Sequence, residues 1–565
     1  MSQSLSAIWA IASICHQQGI THAVLSPGSR CAPLTLAFVR HPHIQCMTVP
    51  DERTAAYIAL GMAQQTNRTV ALICTSGTAA LNYGPAVSEA FYLQVPLLVL
   101  TADRPPEWID QRDGQTIHQR NLYGRHVKKS GEWPAALERV SSRWSGWRQL
   151  SELVLLARQH PRGPVHLNVP LYEPLYPEPG ETFPLPADLR LIHSPSTVCQ
   201  LTESAWVPLL AEYEGAETVL LLAGQSPPDP DLSAAVTALA NRLGTVVLAD
   251  ILANIPSGEE VCRRAERDPS LWRSAPPTLL ITFGLSLLSK GLKQQIRRHP
   301  PLYHWHVEAG FGIADPFCSL TRRITAEPAL FFNQLTQRIK PRKPSALAES
   351  WRCQDRASQR FDQRFFAAQP YSELQAVGQL LAALPPTAHL HLANSLSVRY
   401  GALMAPQIQP DGVWANRGTA GIDGCLATAM GHSLVSDRLH LLIIGDMAFH
   451  YGRNALWLAQ IPDTIRIVLL NNGGGRIFGV IDGPSDQPEC ASHFIAQQTS
   501  SARGAANEAG VDYRTATDHA SVQQAIPWLL HGEPGAKLLE IQIDHAISQC
   551  CYQAFCRGEE PNNGK

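Results

Sequence analysis

The stretch LIIGDMAFHYGRNALWLAQIPDTIRIVLLNNGGGRIF restricts the fold of this chain more than any other. An apolar run, Leu439 to Ile444, stops at Gly445-Asp446, about ten helix-compatible residues follow, and a second run, Ile465 to Leu470, stops at Asn471-Asn472-Gly473-Gly474. The pattern predicts strand, helix and parallel strand. Both polar turns then lie at the carboxyl edge of one sheet, where α/β proteins bind ligands. An Asp and an Asn side chain beside glycine-rich backbone form a hard oxygen site suited to Mg²⁺ carrying a diphosphate.

The rest of the chain repeats this alternation. Strands are predicted at His22–Ser26, Ile44–Val49, Thr69–Cys74 and Pro96–Leu100, and their ends carry Pro27-Gly28-Ser29-Arg30, Asp51-Glu52, Thr75-Ser76-Gly77 and Thr101-Ala102-Asp103-Arg104. Prolines crowd the segment from Pro161 to Pro195, and a second break falls at Lys340-Pro341-Arg342-Lys343-Pro344. Three α/β domains are expected, 1–190, 191–345 and 346–565, each a mainly parallel sheet flanked by helices. The outer two read as duplicates. Glu52 and Ser76 stand 24 residues apart, as do Ile422 and Asp446, and an offset of about 370 also pairs Gly61 with Gly431 and Thr101-Ala102 with Asn471-Asn472.

Composition narrows the partners. A net charge of -2 offers no general field for nucleic acid or an anionic membrane, so anion binding falls to local arginines. No charged and apolar leader is apparent and the apolar runs are short, which predicts a cytoplasmic protein with small-molecule substrates. The 13 cysteines are mostly scattered singly, as reduced thiols would be. Cys550, Cys551 and Cys556 form the one group dense enough to consider for a metal, and they lack a second ligand pair. No predicted strand runs into the G-x-G-x-x-G turn that a nicotinamide dehydrogenase would need.

The turn pair resembles the diphosphate motif of the thiamine-diphosphate enzymes. The resemblance implies a thiamine-diphosphate-binding fold, with Mg²⁺ (or Mn²⁺) held by Asp446, Asn472 and the carbonyl of Gly474. It also implies cofactor contacts from Gly445, Asp446, Asn472 and Ile422, and Glu52 as the carboxyl group on the aminopyrimidine ring. Met447 departs from the glycine common in that family. Ser26-Pro27-Gly28-Ser29-Arg30, Leu100 to Glu107, Asn394-Ser395-Leu396 through Arg399, Asn416 to Gly424 and Ile477-Phe478 are similar to signatures of one branch, the SEPHCHC synthases of menaquinone biosynthesis. That likeness implies a transferase that decarboxylates 2-oxoglutarate and adds the succinyl unit to isochorismate. It gives catalytic or substrate roles to Glu52, Ser29, Arg30, Arg104, Gln115, Lys290, Ser395, Arg399 and Arg417, and makes Ile477 and Phe478 an apolar wall. Arginines suit two dicarboxylate substrates because their planar fork binds carboxylates bidentately.

Two departures keep a related carboligase with another 2-oxo acid or acceptor open. Gly114 precedes Gln115 where the family often has Asn, and Gly291 follows Lys290 where it has a second basic residue. A cofactor-binding paralogue without activity is disfavoured by the joint presence of Glu52, Asp446 and Asn472. His118 and His450 read as ordinary polar or packing histidines before proton-transfer groups. Gly479 to Asn507, short of apolar anchors, reads as a mobile lid. Glu52 and Asp446 on different domains predict a homodimer or homotetramer with active sites between subunits.

Overall fold

The computed structural model describes residues 2–135, 137–195, 197–264, 270–310, 312–404 and 411–559. Three parallel sheets of six strands each organise them. The first contains β1 (His22–Leu25), β2 (Gln45–Thr48), β3 (Val70–Cys74), β4 (Leu97–Asp103), β5 (Ser130–Glu132) and β6 (Val165–Pro170), in the order β2-β1-β3-β4-β6-β5. The second contains β7 (Val219–Ala223), β8 (Val247–Ala249), β9 (Val261–Cys262), β10 (Leu279–Phe283), β11 (Tyr303–Glu308) and β12 (Arg322–Thr325), in the order β12-β11-β10-β7-β8-β9. The third contains β13 (His389–Leu392), β14 (Gly412–Trp414), β15 (His440–Gly445), β16 (Ile465–Leu470), β17 (Asp512–Ala516) and β18 (Lys537–Ile541), in the order β14-β13-β15-β16-β18-β17.

Taken strand by strand, the first and third sheets have the same order, whereas the second has another. Buried strands such as β3 (Val-Ala-Leu-Ile-Cys) are apolar throughout because helices cover both faces of a parallel sheet. By contact the chain divides into two compact units. One holds the first sheet together with Asn416–Asp437 and Tyr451–Pro462; the other holds the second and third sheets.

Within the first unit, the helix Glu52–Thr66 starts at Asp51, whose side chain accepts from the Thr54 amide at 3.0 Å, and stops at Asn67 in the left-handed region. It packs on the helix Cys425–Ser433. A Cβ at Gly61 would stand 2.1 Å from the Thr428 carbonyl oxygen, and one at Gly431 would stand 2.2 Å from that of Ile58. The two glycines that the repeat placed in register are therefore the mutual crossing point of their helices, each meeting the other helix's backbone. Only glycine allows so close an approach of backbones.

Some elements differ from expectation. β4 runs on through Thr101, Ala102 and Asp103, because β6 pairs with it as far as Asp103 opposite Pro170. Gly445 is the last residue of β15, paired with Leu470, and is not part of the turn. The helix after it is short, Asp446–Gly452, and tightens into a 3₁₀ turn at Arg453–Leu456. The proline-rich residues 171–195 carry no helix or strand.

Candidate functional site

The turns after β15 and β16 are tied together by Asp446. This residue is 2% exposed; its Oδ1 accepts from the Met447 amide at 2.8 Å and its Oδ2 from the Gly474 amide at 2.7 Å. Gly473 and Gly474 have φ of +76° and +138°, and a Cβ at Gly474 would meet the Ile495 carbonyl oxygen at 2.7 Å, so this turn requires glycine. The Asn472 Nδ2 donates to both oxygens of Glu373 at 3.2 and 3.3 Å, while its Oδ1 is buried without a hydrogen-bond partner. Such an orphaned oxygen costs about 1–3 kcal/mol unless a ligand satisfies it. A buried carboxylate, an unpartnered amide oxygen and a glycine turn are a donor set that fits a hard divalent cation.

Glu373 had no signal in the sequence beyond that of an acid at a helix start. It is fully buried, receives the Tyr400 hydroxyl at 3.1 Å, and is pushed up to about 7 by burial and the Asp446 charge, against the pull of its Asn472 and Tyr400 hydrogen bonds. Gln498 was missed as well: its Nε2 donates to Asp446 Oδ2 at 2.5 Å and to Asn471 Oδ1 at 3.0 Å. With the Gly475 amide donating to the Ile495 carbonyl at 2.6 Å, part of the segment expected to be a lid is fastened to the turn, and Cys490, Ile495 and Ala502 bury apolar surface along it.

Other residues of this unit lie around or away from that edge. Ser395 follows β13 with φ of +75°, and its carbonyl accepts from Arg399 Nη1 at 2.7 Å. Ile477 and Phe478 share the 3₁₀ turn Arg476–Gly479; Ile477 packs on the core of the third sheet and Phe478 lies 5.9 Å from the Phe494 ring. Lys290 is exposed at the start of the helix Lys290–Arg298, which belongs to the second sheet's layer, and a Cβ at Gly291 would meet open space. Cys550, Cys551 and Cys556 share the helix His545–Arg557, where Cys551 receives the Ser372 hydroxyl; no three His, Cys, Asp or Glu side chains among the described residues are placed to hold a metal. His450 is half-buried against Phe449.

In the other unit, the ends of β1, β3 and β4 assemble a second edge. Gly28 packs on Thr75, Gly77 packs on Gln115, and the Gly77 amide donates to buried Gln119 at 2.8 Å. Ser29 and Gln115 are exposed there. Arg30 is 6% exposed and donates to the Leu171 carbonyl at 2.9 Å and to Glu173 at 3.3 Å, with its Nε unpartnered. Burial and then the neighbouring Arg104 charge lower its pKa, partly offset by Glu173. Arg104 donates to the Gly114 carbonyl at 3.0 Å; Gly114 itself faces open space, so packing does not demand a glycine there. His118 is exposed beside Asp110.

Glu52 begins its helix half-buried, and no hydrogen bond or ion pair engages its carboxylate among the described residues. Arg417 and Ile422 belong to this same unit, in a loop held by Glu89. That residue is 1% exposed, and its two oxygens accept from the amides of Gly418 and Thr419 at 2.8 and 2.6 Å. No local pattern marks it, since Glu89 lies mid-helix in Gly84–Tyr92.

Comparison with known proteins gives the family. Residues 7–122 match the thiamine pyrophosphate enzyme N-terminal TPP binding domain. A 2-succinyl-5-enolpyruvyl-6-hydroxy-3-cyclohexene-1-carboxylate synthase of Cytophaga hutchinsonii is 39% identical over 98% of both chains, and one of Porphyromonas gingivalis is 37% identical over 96% of both. A thiamine diphosphate-dependent 4-hydroxybenzoylformate decarboxylase of Rhodococcus jostii RHA1 shares the fold at a TM-score of 0.70 and 18% identity, covering 96% of this chain and 99% of that one. With near-complete coverage of such relatives, the chain belongs to the 2-succinyl-5-enolpyruvyl-6-hydroxy-3-cyclohexene-1-carboxylate synthase family of thiamine-diphosphate enzymes.

Proposed function

We propose that this chain decarboxylates 2-oxoglutarate and adds the succinyl unit to isochorismate, releasing CO₂, with thiamine diphosphate and Mg²⁺ as cofactors. The observation that supports it most is the buried, unpartnered Asn472 Oδ1 beside Asp446 and Gly474, in a chain of this family. When bound, the cofactor supplies the reactive carbon and electron sink that loss of CO₂ from a 2-oxo acid requires. Asp446, Asn472 and the Gly474 carbonyl would hold the cation and through it the diphosphate, with Gly445 beside them; Mn²⁺ suits the same oxygens. Glu52 would hold a proton against the pyrimidine ring, and Ile422 would pack against the cofactor.

Ser29, Arg30, Arg104, Gln115, Ser395, Arg399 and Arg417 would bind and orient the substrate carboxylates, with Lys290 as a further cation, while Ile477 and Phe478 exclude water. The domain limits at 190 and 345, a cytoplasmic location, and a homodimer or homotetramer with shared sites belong to the same proposal. No helix of the described residues is long and apolar enough to cross a membrane.

The test is consumption of isochorismate by the purified protein with both cofactors. It should require 2-oxoglutarate and release CO₂. No consumption at saturating cofactor overturns the proposal, and CO₂ release from a different 2-oxo acid would move the chain to a related carboligase.

A further inference from the structure

We propose that Glu373 is a positioning residue for the metal site: it sets the Asn472 amide so that Oδ1 is presented to the cation. The inference rests on the Mg²⁺ reading given above. Glu373 is held rigidly at the first turn of the helix Glu373–Ala382. A capping box formed by Ser372 and Gln375 fixes that turn, and the Glu373 amide donates to Ser548 Oγ at 3.2 Å. Both of its carboxylate oxygens face Asn472 Nδ2, at 3.2 and 3.3 Å, and the buried Tyr400 hydroxyl donates to Oε2 at 3.1 Å.

With both carboxylate oxygens at acceptor distance from Nδ2, the contact selects the NH₂ side of the amide. Because the amide is planar, its oxygen is then turned away from Glu373. That oxygen is buried and has no protein partner. Without Glu373 the amide could rotate by half a turn and offer the cation a donor, which cannot ligate it. Outer partners that orient metal ligands commonly contribute about 10–100-fold in metal affinity.

The experiment measures Mn²⁺ binding by the loss of the free-ion electron paramagnetic resonance signal, in the presence of thiamine diphosphate, for the wild type and for Glu373→Leu, Glu373→Gln and Asp446→Ala. Glu373→Leu should weaken Mn²⁺ about 10–100-fold. Glu373→Gln, which keeps one acceptor and gains one donor, should weaken it measurably but less. Turnover at saturating metal should fall much less than affinity, and melting without metal should not track the affinity loss, as it would for a merely structural residue.

Wild-type Mn²⁺ affinity in both Glu373 variants overturns the inference, and if Glu373→Leu does not fold, wild-type affinity in Glu373→Gln alone does so. Failure of the wild type to bind Mn²⁺ overturns the metal reading itself. Loss of binding in Asp446→Ala with both Glu373 variants unaffected removes only the role of Glu373.

Discussion

The first and third sheets share one strand order yet present opposite chemistry at their carboxyl edges. After β15 and β16 stand Asp446 and Asn472; the positions 370 residues earlier, beyond β3 and in β4, are Ser76 and Ala102. The first sheet does keep a buried carboxylate at Asp103, but the Asn168 amide at 2.8 Å and the Arg104 amide at 2.8 Å consume it. At the third sheet an amide oxygen is left over. One strand order thus carries different unsatisfied atoms at its two edges: an amide oxygen at Asn472 in the third sheet, and the Thr75 and Ser76 hydroxyls with Arg30 Nε in the first.

The largest expected effect tests that contrast. Glu52→Gln should lower turnover by about 10²–10⁴-fold, as expected for losing a proton-handling group, with unfolding by urea unchanged; near-normal rates would end the assignment of an active-site role to the first sheet. Asp446→Ala should weaken Mg²⁺-dependent cofactor binding by more than about 100-fold by calorimetry, since an inner ligand should exceed the outer-partner range. Ser76→Ala, its counterpart, should have little effect on metal binding, and equal losses would erase the contrast.

A smaller effect probes the helix crossing. Gly61→Ala and Gly431→Ala should each destabilise by about 1–3 kcal/mol in urea unfolding, because each Cβ would overlap a carbonyl oxygen. Their costs should match, and a marked difference would break the reciprocity of the crossing. A further test, of pH, reaches all three sheets. Burial holds His166 in the first sheet and His440 in the third down to about 3, and His304 in the second to about 4. Below about pH 6.5 the unfolded chain takes up these protons and the folded one does not, so each histidine removes about 1.4 kcal/mol of stability per pH unit down to its folded value. Unfolding midpoints measured between pH 7 and 5 should fall, and a flat profile would sink this assignment of neutral histidines.

Sequence periodicity reached the strands that are apolar throughout, and β16 has the limits predicted from it, Ile465–Leu470. It passed over β6 and β11, Val-His-Leu-Asn-Val-Pro and Tyr-His-Trp-His-Val-Glu, because polar residues interrupt their runs. Those polar groups are acceptable inside because they bond to one another: Thr101 meets His166 at 2.8 Å and Asn168 at 2.9 Å, and Thr282 meets His304 at 3.0 Å. Such partners lie 22 to 67 residues apart, beyond the reach of any local pattern.

By itself the sequence determined the three-fold α/β alternation, the duplication, and the turns where Asp446, Asn472 and Glu52 stand, because strand ends and glycine turns are local. Tertiary structure alone decided which polar atoms are used up. Glu89 holding the Asn416–Gly424 loop, Gln498 reaching Asp446, and Glu373 turning the amide of Asn472 are contacts between distant segments, and burial gives them their strength.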